Sequence, residues 1–323
     1  MTGSFGVSFE GQETPAIMQA AVAAAEAAGA STLWVASHLF QREPIAVGAL
    51  ALAASQRLKV ALMAMSPYSV HPIYATMAAA TLDEYFPGRV ELCFGVGAPR
   101  DLEAAGLEAP QPLRTLREAI QLSRALLAGE LVKYQGQRFK IHDRRLATGA
   151  RSLPIVLAAS GPQMLELAGA EADGVLISAA TSPAFIRWTL EHVARGEAQS
   201  GRKVRRIALV YASVDQQEKA ARDRLRRMLA FILRGAHHAR NLQLGGTVLD
   251  QAALAAAFAS EDWASVERLV TDDVVRRHTA SGTPEQVREA IAGYLAVGLD
   301  EIVIAGAAAS PSLSWILETA QGR

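Results

Sequence analysis

The stretch His71–Ala98, HPIYATMAAATLDEYFPGRVELCFGVGA, contains one complete helix–turn–strand unit. Pro72–Tyr85 predicts a helix, because a proline suits the first helical position and Pro87-Gly88 stops the pattern. Arg89–Gly97 predicts a strand that is mainly apolar at consecutive positions, as expected for a strand covered on both faces. A helix, a tight turn and a buried strand in this order are typical of a parallel α/β sheet.

The same alternation continues in both directions along the 323 residues. Eight strands, each followed by a helix, is the number that a closed parallel barrel requires. The alternative, a doubly wound open sheet, needs a phosphate-binding glycine fingerprint in the first turn, and the segment EGQETP lacks one. The predicted strands are Ser4–Glu10, Ser31–Ser37, Leu58–Met65, Arg89–Gly97, Leu153–Ser160, Ala172–Ser178, Val204–Val214 and Asp300–Gly306.

Two segments interrupt the alternation. Residues 130–150 are polar and predict a small hairpin or excursion, while residues 235–281 predict helices. We therefore expect one α/β domain over residues 1–323, a (β/α)8 TIM barrel with insertions near 130–150 and 235–281.

Composition narrows the classes of function. The 32 Lys and Arg residues balance 32 Asp and Glu residues, which argues against a chain-wide surface for nucleic acid or anionic membrane. One cysteine, Cys93, excludes an internal disulfide and a metal site built on several cysteines. The N-terminus lacks the pattern of a secretory signal, and polar residues interrupt the alanine-rich stretches. We expect a cytoplasmic protein with no metal, and no membrane or nucleic acid among its partners.

In such a barrel, functional residues lie where the strands end. Ser160-Gly161-Pro162-Gln163 begins a helix directly after a strand, and free backbone N–H groups at a helix start bind phosphate. An ordinary N-cap at Ser160 explains the same residues equally well. The glycines of Gly95-Val96-Gly97-Ala98 would let a flat ring approach the backbone, although relief of a tight turn is the more frequent reason for such a pair.

Titratable residues also follow the strands. His38 is a candidate for proton transfer, while an isolated histidine more often serves structural hydrogen bonding. Glu10 is the carboxylate at the end of the first strand, and it is either a catalytic acid or a solvated loop residue. Four arginines of one predicted helix are expected to form a solvated face: Arg222, Arg224, Arg226 and Arg227.

The segment His71–Ala98 resembles the central signature of the luciferase-like flavin-dependent oxidoreductases. Its best match is the branch that contains methylenetetrahydromethanopterin reductase and other deazaflavin-dependent enzymes. Further resemblance, in the family's order and spacing, lies in Phe5–Phe9, Leu33–Phe40, Leu116–Ile141 and Leu153–Ser178. These segments span most of residues 5–180, while residues 200–323 resemble the family only in pattern.

The resemblance implies a luciferase-like barrel that binds FMN or coenzyme F-420, an 8-hydroxy-5-deazaflavin, at the strand ends. The ring would lie on residues after the third and fourth strands, and the phosphate on those after the fifth. A non-prolyl cis peptide behind the ring, frequent in the family, would fall near Ala64–Ser66. The implied cofactor-binding residues are Met65, Ser66, Gly97, Ala98, Ser160, Gly161, Pro162, Gln163 and Ser178.

The chain departs from the family pattern at two places. The second strand of the family commonly ends in an acidic residue followed by histidine, whereas this chain has Ser37-His38. The catalytic proton would then be handled by His38 or Glu10. The loop after the third strand often has the sequence Asn-Pro-Tyr-Thr-Arg-His-Pro, whereas Ser66–Pro72 is SPYSVHP, without the amide and the positive charge.

Several functions stay open. With F-420 the enzyme would transfer a hydride to or from a small organic substrate, which the reductase-like branch favours slightly. With FMN it would be a monooxygenase that depends on a flavin reductase. The Ser37-His38 pair also allows a flavin-binding barrel without catalysis, and Ser160–Gln163 alone would allow a barrel for a phosphorylated metabolite, against which His71–Ala98 argues. We also expect a homodimer, with apolar helices such as Thr14–Ala28 between the subunits.

Overall fold

The computed structural model describes residues 3–322. The strands, in chain order, are β1 (Ser4–Phe9), β2 (Thr32–Ala36), β3 (Lys59–Met65), β4 (Val90–Phe94), β5 (Val132–Gln135), β6 (Lys140–Arg144), β7 (Ile155–Ala158), β8 (Gly174–Ile177), β9 (Arg205–Val214), β10 (Ala280–Gly282) and β11 (Glu301–Ala305). The helices are α1 (Pro15–Ala27), α2 (Pro44–Ala54), α3 (Pro72–Tyr85), α4 (Pro99–Ala104), α5 (Pro112–Leu127), α6 (Pro162–Glu171), α7 (Pro183–Ser200), α8 (Glu218–Leu233), α9 (Ala239–Leu244), α10 (Gln251–Ala259), α11 (Trp263–Leu269), α12 (Asp272–His278), α13 (Pro284–Leu295) and α14 (Leu313–Ala320), with a 3-10 turn at Ala236–His238.

Eight parallel strands in this part of the chain close into a ring. Their order is β1, β2, β3, β4, β7, β8, β9 and β11, and β11 pairs back onto β1. The closed ring excludes the doubly wound open sheet, which would leave two edges. The expected (β/α)8 barrel is confirmed.

Prolines set the starts of many helices on the outside of the ring. Each of α1, α2, α3, α5, α6, α7 and α13 has proline at its first helical positions, where the missing N–H would have no partner in any case. Thr283 adds a capping box before α13, in which its side chain and that of Gln286 satisfy each other's backbone N–H groups. These local signals explain why the helix starts were predictable from the sequence.

The centre of the barrel is apolar, whereas the amino ends of its strands enclose charges. Arg205 Nη1 donates to Glu91 Oε1 at 2.8 Å, and Nη2 of the same guanidinium contacts both Glu91 and Glu301. Trp34 Nε1 donates to Glu301 Oε1 at 3.1 Å. A Cβ at Gly6 would lie 2.7 Å from the Glu301 carboxylate, so glycine leaves the room that this group needs. The apolar filling above these charges includes Ala61, Cys93, Val156, Ile207 and Val303.

Strand β3 is irregular close to the position expected from the sequence. Its register with β4 shifts between Leu62 and Met65, and the Met63–Ala64 peptide bond is cis. The cis bond lies at the start of the predicted range Ala64–Ser66. Gly95 follows β4 directly. A Cβ at this position would lie 2.8 Å from Ala64 Cβ, so glycine leaves room for the irregular part of β3.

The first insertion is the antiparallel hairpin β5–β6, as expected near residues 130–150. A buried carboxylate on α5 fixes its turn. Glu118 accepts the backbone N–H groups of Gln137, Arg138 and Phe139 at 2.8–3.2 Å, and it is 7% exposed. The hairpin is therefore anchored to the outer ring of helices by one side chain.

The second insertion covers part of the barrel mouth. Strand β9 runs beyond the ring and pairs with β10, and residues 215–279 between them, which we call the cap, contain α8 to α12. The cap packs its apolar side on Ala179, Tyr211 and Ala305, at the carboxyl ends of β8, β9 and β11. It begins earlier along the chain than the predicted 235.

The expectation of a solvated arginine face on α8 is wrong for two of its four residues. Arg222 and Arg226 are only 7% and 6% exposed, and both contact the Asp272 carboxylate. The sequence suggested a solvated face because basic residues crowd this helix. In the folded chain, α11 and α12 pack against α8, so that side of the helix is covered.

Candidate active site

The residues expected to hold a cofactor ring meet between the ends of β3 and β4. Ser66 Oγ donates to the Val96 carbonyl at 2.6 Å, and a Cβ on Gly97 would lie 3.2 Å from the Ser66 side chain. Gly97 has a φ of +96°, which glycine adopts without strain. Met65 is buried beneath this contact, so residues 65–66 and 97–98 form one surface of mainly small side chains.

Ser160–Gln163 and Ser178 lie at the next two strand ends along the ring. Because β4 pairs with β7 and β7 with β8, the ends of β3 to β8 form a continuous arc. Gly161 is the N-cap of α6, and within residues 3–322 no side chain caps this helix. A Cβ on Gly161 would meet no described atom within 4 Å, so the helix start offers both free N–H donors and space.

Three titratable side chains meet on the other side of the mouth. His38 Nε2 lies 3.7 Å from Glu10 Oε2, and His38 Nδ1 lies 3.6 Å from Asp101 Oδ2. The imidazole is 45% exposed, and the two carboxylates are 32% and 29% exposed. The loops after β1 and β2 supply Glu10 and His38, and α4 supplies Asp101 after β4.

Local hydrogen bonds hold Glu10 in this position. Ser8 Oγ, two residues earlier on β1, donates to Glu10 Oε1 at 2.7 Å. The backbone N–H groups of Glu10 and Gly11 donate to the Glu13 carboxylate at 3.1 and 2.9 Å. Glu10 is therefore an ordered residue of the mouth rather than a solvated loop residue.

The charges around His38 and Tyr211 favour the protonated forms of both. The nearby Glu10 carboxylate raises the pKa of His38 above its ordinary value of 6.5, partial burial opposes this, and the charge of Asp101 adds to the effect of Glu10. Burial raises the pKa of Tyr211, which is 8% exposed, and the charge of Glu10 raises it further. Both shifts therefore favour the forms in which the imidazole and the phenol carry their protons.

The sequence singled out His38 and Glu10 but missed Asp101. Asp101 lies on a helix of six residues in a segment without clear periodicity, so nothing in the sequence placed it near the second strand. Tyr211 lies at one of the strand ends where the sequence predicts functional residues, but no role was predicted for it.

Comparison with known proteins now identifies the family. Residues 3–301 match the family described as luciferase-like monooxygenase. The chain belongs to this family. It is 30% identical over 308 residues to 5,10-methylenetetrahydromethanopterin reductase of Archaeoglobus fulgidus, a match that covers 93% of this chain and 92% of that relative. The expected resemblance and the expected class of enzyme, an oxidoreductase, are confirmed.

Two solved structures share the fold of this luciferase-like protein. The coenzyme F-420-dependent tetrahydromethanopterin reductase of Methanopyrus kandleri superposes with a TM-score of 0.90 at 23% identity, covering 99% of this chain and 98% of that one. An F-420-dependent secondary alcohol dehydrogenase, in complex with an F-420–acetone adduct, superposes with a TM-score of 0.81 at 20% identity, covering 100% and 98%. At these identities the superpositions support the fold.

Two further features were searched for in the described residues. Every helix between residues 3 and 322 is too short or too polar to span a membrane. No group of three or more His, Cys, Asp or Glu side chains in the same range is placed to hold a metal ion.

Proposed function

We propose that this protein is an oxidoreductase that uses coenzyme F-420 for hydride transfer to or from a small organic substrate. The observation that carries the proposal is the similarity, over 93% of the chain, to a methylenetetrahydromethanopterin reductase. The F-420-dependent proteins that share the fold at TM-scores of 0.90 and 0.81 support it.

The chemistry of the mouth fits such a cofactor. The start of α6 at Gly161, with its free N–H groups, suits the phosphate on the ribityl chain. The small side chains around Ser66 and Gly97 leave a flat ring access to the backbone. When bound, F-420 supplies a ring carbon that carries or accepts a hydride.

The residues of the chain supply binding and proton chemistry. Ser160, Gly161, Pro162 and Gln163 would hold the phosphate end, and Met65, Ser66, Gly97, Ala98 and Ser178 would line the ring. His38 would donate or accept the proton that accompanies the hydride, and Glu10 would orient the imidazole. The cap, packed over the ends of β8, β9 and β11, would limit the access of water.

The test is a fluorescence titration of the purified apo-protein with F-420 and, separately, with FMN. We expect F-420 to bind with a Kd of about 1 µM or less, which corresponds to roughly −8 kcal/mol. Tight binding of FMN with no binding of F-420 would favour the second candidate, an FMN monooxygenase served by a flavin reductase. Binding of neither by a folded protein would refute the proposal. Tight binding with no turnover for any substrate or oxidant would favour a barrel without catalysis.

A pair of variants at Gly161 tests the phosphate position. Gly161→Asp places a carboxylate in open space at the N-cap, where it accepts the helix N–H groups and repels a phosphate. We expect the Kd for F-420 to rise on the order of tenfold or more, about 1.4 kcal/mol per tenfold. The matched control is Gly161→Asn, which caps the helix without a charge and should weaken binding much less. Equal affinities for the two variants would show that the phosphate binds elsewhere.

We also propose a homodimer, formed through the outer faces of α2 and α3. The 11 residues of α2 contain no charged side chain, and its Leu50 is 59% exposed. On the neighbouring helix α3, Tyr74, Met77 and Tyr85 are 60%, 46% and 75% exposed. An exposed apolar face of two adjacent helices is typical of a protein interface.

Sedimentation of the wild type and of Met77→Glu tests the dimer. We expect the wild type to sediment as a dimer and the variant as a folded monomer. The matched control is Val248→Glu in the cap, at a residue that is 95% exposed and far along the chain from α2 and α3. A monomeric wild type, or a Met77→Glu variant that stays dimeric, would refute the proposed interface.

A further inference from the structure

His38 is flanked by carboxylates on both ring nitrogens. Glu10 lies 3.7 Å from Nε2 and Asp101 lies 3.6 Å from Nδ1. They are the carboxylates within 4 Å of the ring among residues 3–322. Arg42, a basic residue of the same region, points elsewhere, since it donates to the carbonyls of Gly11 and Gln12.

Carboxylates on both sides of the ring favour the imidazolium over the neutral imidazole. A neutral imidazole has one N–H, so one carboxylate would face a ring lone pair and be repelled. An imidazolium has two N–H groups and can donate to both carboxylates at once. Removal of either carboxylate therefore lowers the preference for the imidazolium, although neither residue shares an element of the barrel with His38.

We propose that Asp101 is a positioning residue that, together with Glu10, holds His38 as an oriented imidazolium, so that His38 acts as the proton donor of the reaction. The catalytic part of this inference rests on the proposed function. The acceptor is then a substrate that must gain a proton as well as a hydride, such as a carbonyl group or a conjugated alkene. A bound reduced deazaflavin, as its N1 anion, would supply the hydride to carbon, and His38 would give its proton to the oxygen or the second carbon, leaving a neutral imidazole and an oxidised cofactor.

The position of Asp101 suits this role better than a purely structural one. It lies on the first turn of α4, and Leu102 is the buried residue that packs this short helix onto the barrel. The Asp101 side chain is 29% exposed and points to the mouth rather than into the core. Its charge can therefore act on His38 without being needed for the packing of α4.

The first measurement is an NMR titration of the His38 ring in the apo-protein, which needs neither cofactor nor substrate. In Asp101→Asn we expect the midpoint to fall by roughly half a pH unit to one pH unit, because one favourable charge is lost at a partly solvated site. Glu10→Gln should lower it further, since the Glu10 carboxylate is the largest influence on the pKa of the ring. The matched control is Glu103→Gln, an exposed residue on the same helix, which should leave the midpoint unchanged.

The second measurement is the pH profile of kcat with F-420 and an accepted substrate. The alkaline limb, where His38 loses its proton, should move to lower pH in Asp101→Asn by the amount seen in the NMR titration. An unchanged NMR midpoint in Asp101→Asn would overturn the inference, even if activity fell. A shifted midpoint with an unshifted kcat profile would overturn the role of His38 as donor. A protein that binds no F-420 would instead refute the proposed function, and the NMR result would still decide the arrangement of charges.

Discussion

Each end of the barrel places one basic side chain between two carboxylates. At the amino ends of the strands, Arg205 lies between Glu91 and Glu301, and at the carboxyl ends His38 lies between Glu10 and Asp101. The first cluster is closed, with Glu91 and Glu301 only 1% and 2% exposed and a direct contact of 2.8 Å from Arg205 to Glu91. The second is open, with separations of 3.6–3.7 Å and an imidazole that is 45% exposed.

The difference between these clusters indicates a role in stability at one end and, under the proposed function, a role in proton transfer at the other. A guanidinium keeps its charge at every relevant pH, so the buried cluster is always an ion pair. An imidazole gains and loses its proton near neutral pH, and the looser contacts leave room for a ligand. We therefore expect changes in the closed cluster to alter the free energy of unfolding, and changes in the open cluster to alter proton transfer.

The largest effect on stability is expected from Arg205→Met. This variant leaves two buried carboxylates without their cation, and removal of one partner from a buried ion pair costs about 3–5 kcal/mol. Urea denaturation of wild type and variant measures the difference. The control is Lys219→Met, at a side chain 76% exposed and paired with Asp223, where a loss below about 1 kcal/mol is expected. Similar losses for the two variants would contradict the contrast between closed and open pairs.

A smaller effect is expected from a matched pair of glutamate substitutions. Glu91→Gln keeps the shape of the side chain but removes the charge that Arg205 contacts, which should cost about 1.5–3 kcal/mol. Glu10→Gln in the open cluster should change stability by no more than about 0.5 kcal/mol, because the residue lies at a partly solvated mouth. Urea denaturation gives both changes in the free energy of unfolding, from the shift of the midpoint at an unchanged slope of free energy against denaturant concentration. A larger loss in Glu10→Gln than in Glu91→Gln would reverse the assignment of the two clusters.

The sequence predicted the barrel far better than it predicted these clusters. Buried parallel strands are short apolar runs bounded by glycine and proline, so the eight strands could be placed from local pattern alone. Glu91 and Arg205 were visible as charges inside predicted strands, but they are 114 residues apart and nothing local pairs them. No local pattern pairs Asp101 with His38 either, so its place in the site could not be predicted. His38 and Glu10 were found because each follows its strand directly.

The mistaken expectation for α8 has a related cause. Arginines at successive positions suggested a solvated face, and the sequence could not show that the later helices of the cap fold back over Arg222 and Arg226. Burial that depends on a distant segment is a property of the tertiary structure. Local patterns therefore predict elements and their ends, while the partners of a charged side chain come from the closure of the ring and the packing of the insertions.

The smallest effect is a loss of stability with rising pH that comes from His38 in the open cluster. The folded-state pKa of His38 is raised above 6.5, so its contribution is fully present below that pH and is lost as the pH rises through the folded-state value. The Tm of wild type minus that of His38→Asn should therefore shrink between about pH 6 and pH 9. The difference between wild type and Arg205→Met should instead grow as the pH rises, because the two buried carboxylates left without their cation must lose their protons. A constant difference for His38→Asn would mean that Glu10 and Asp101 do not stabilise the imidazolium, and the two ends of the barrel would then differ in exposure alone.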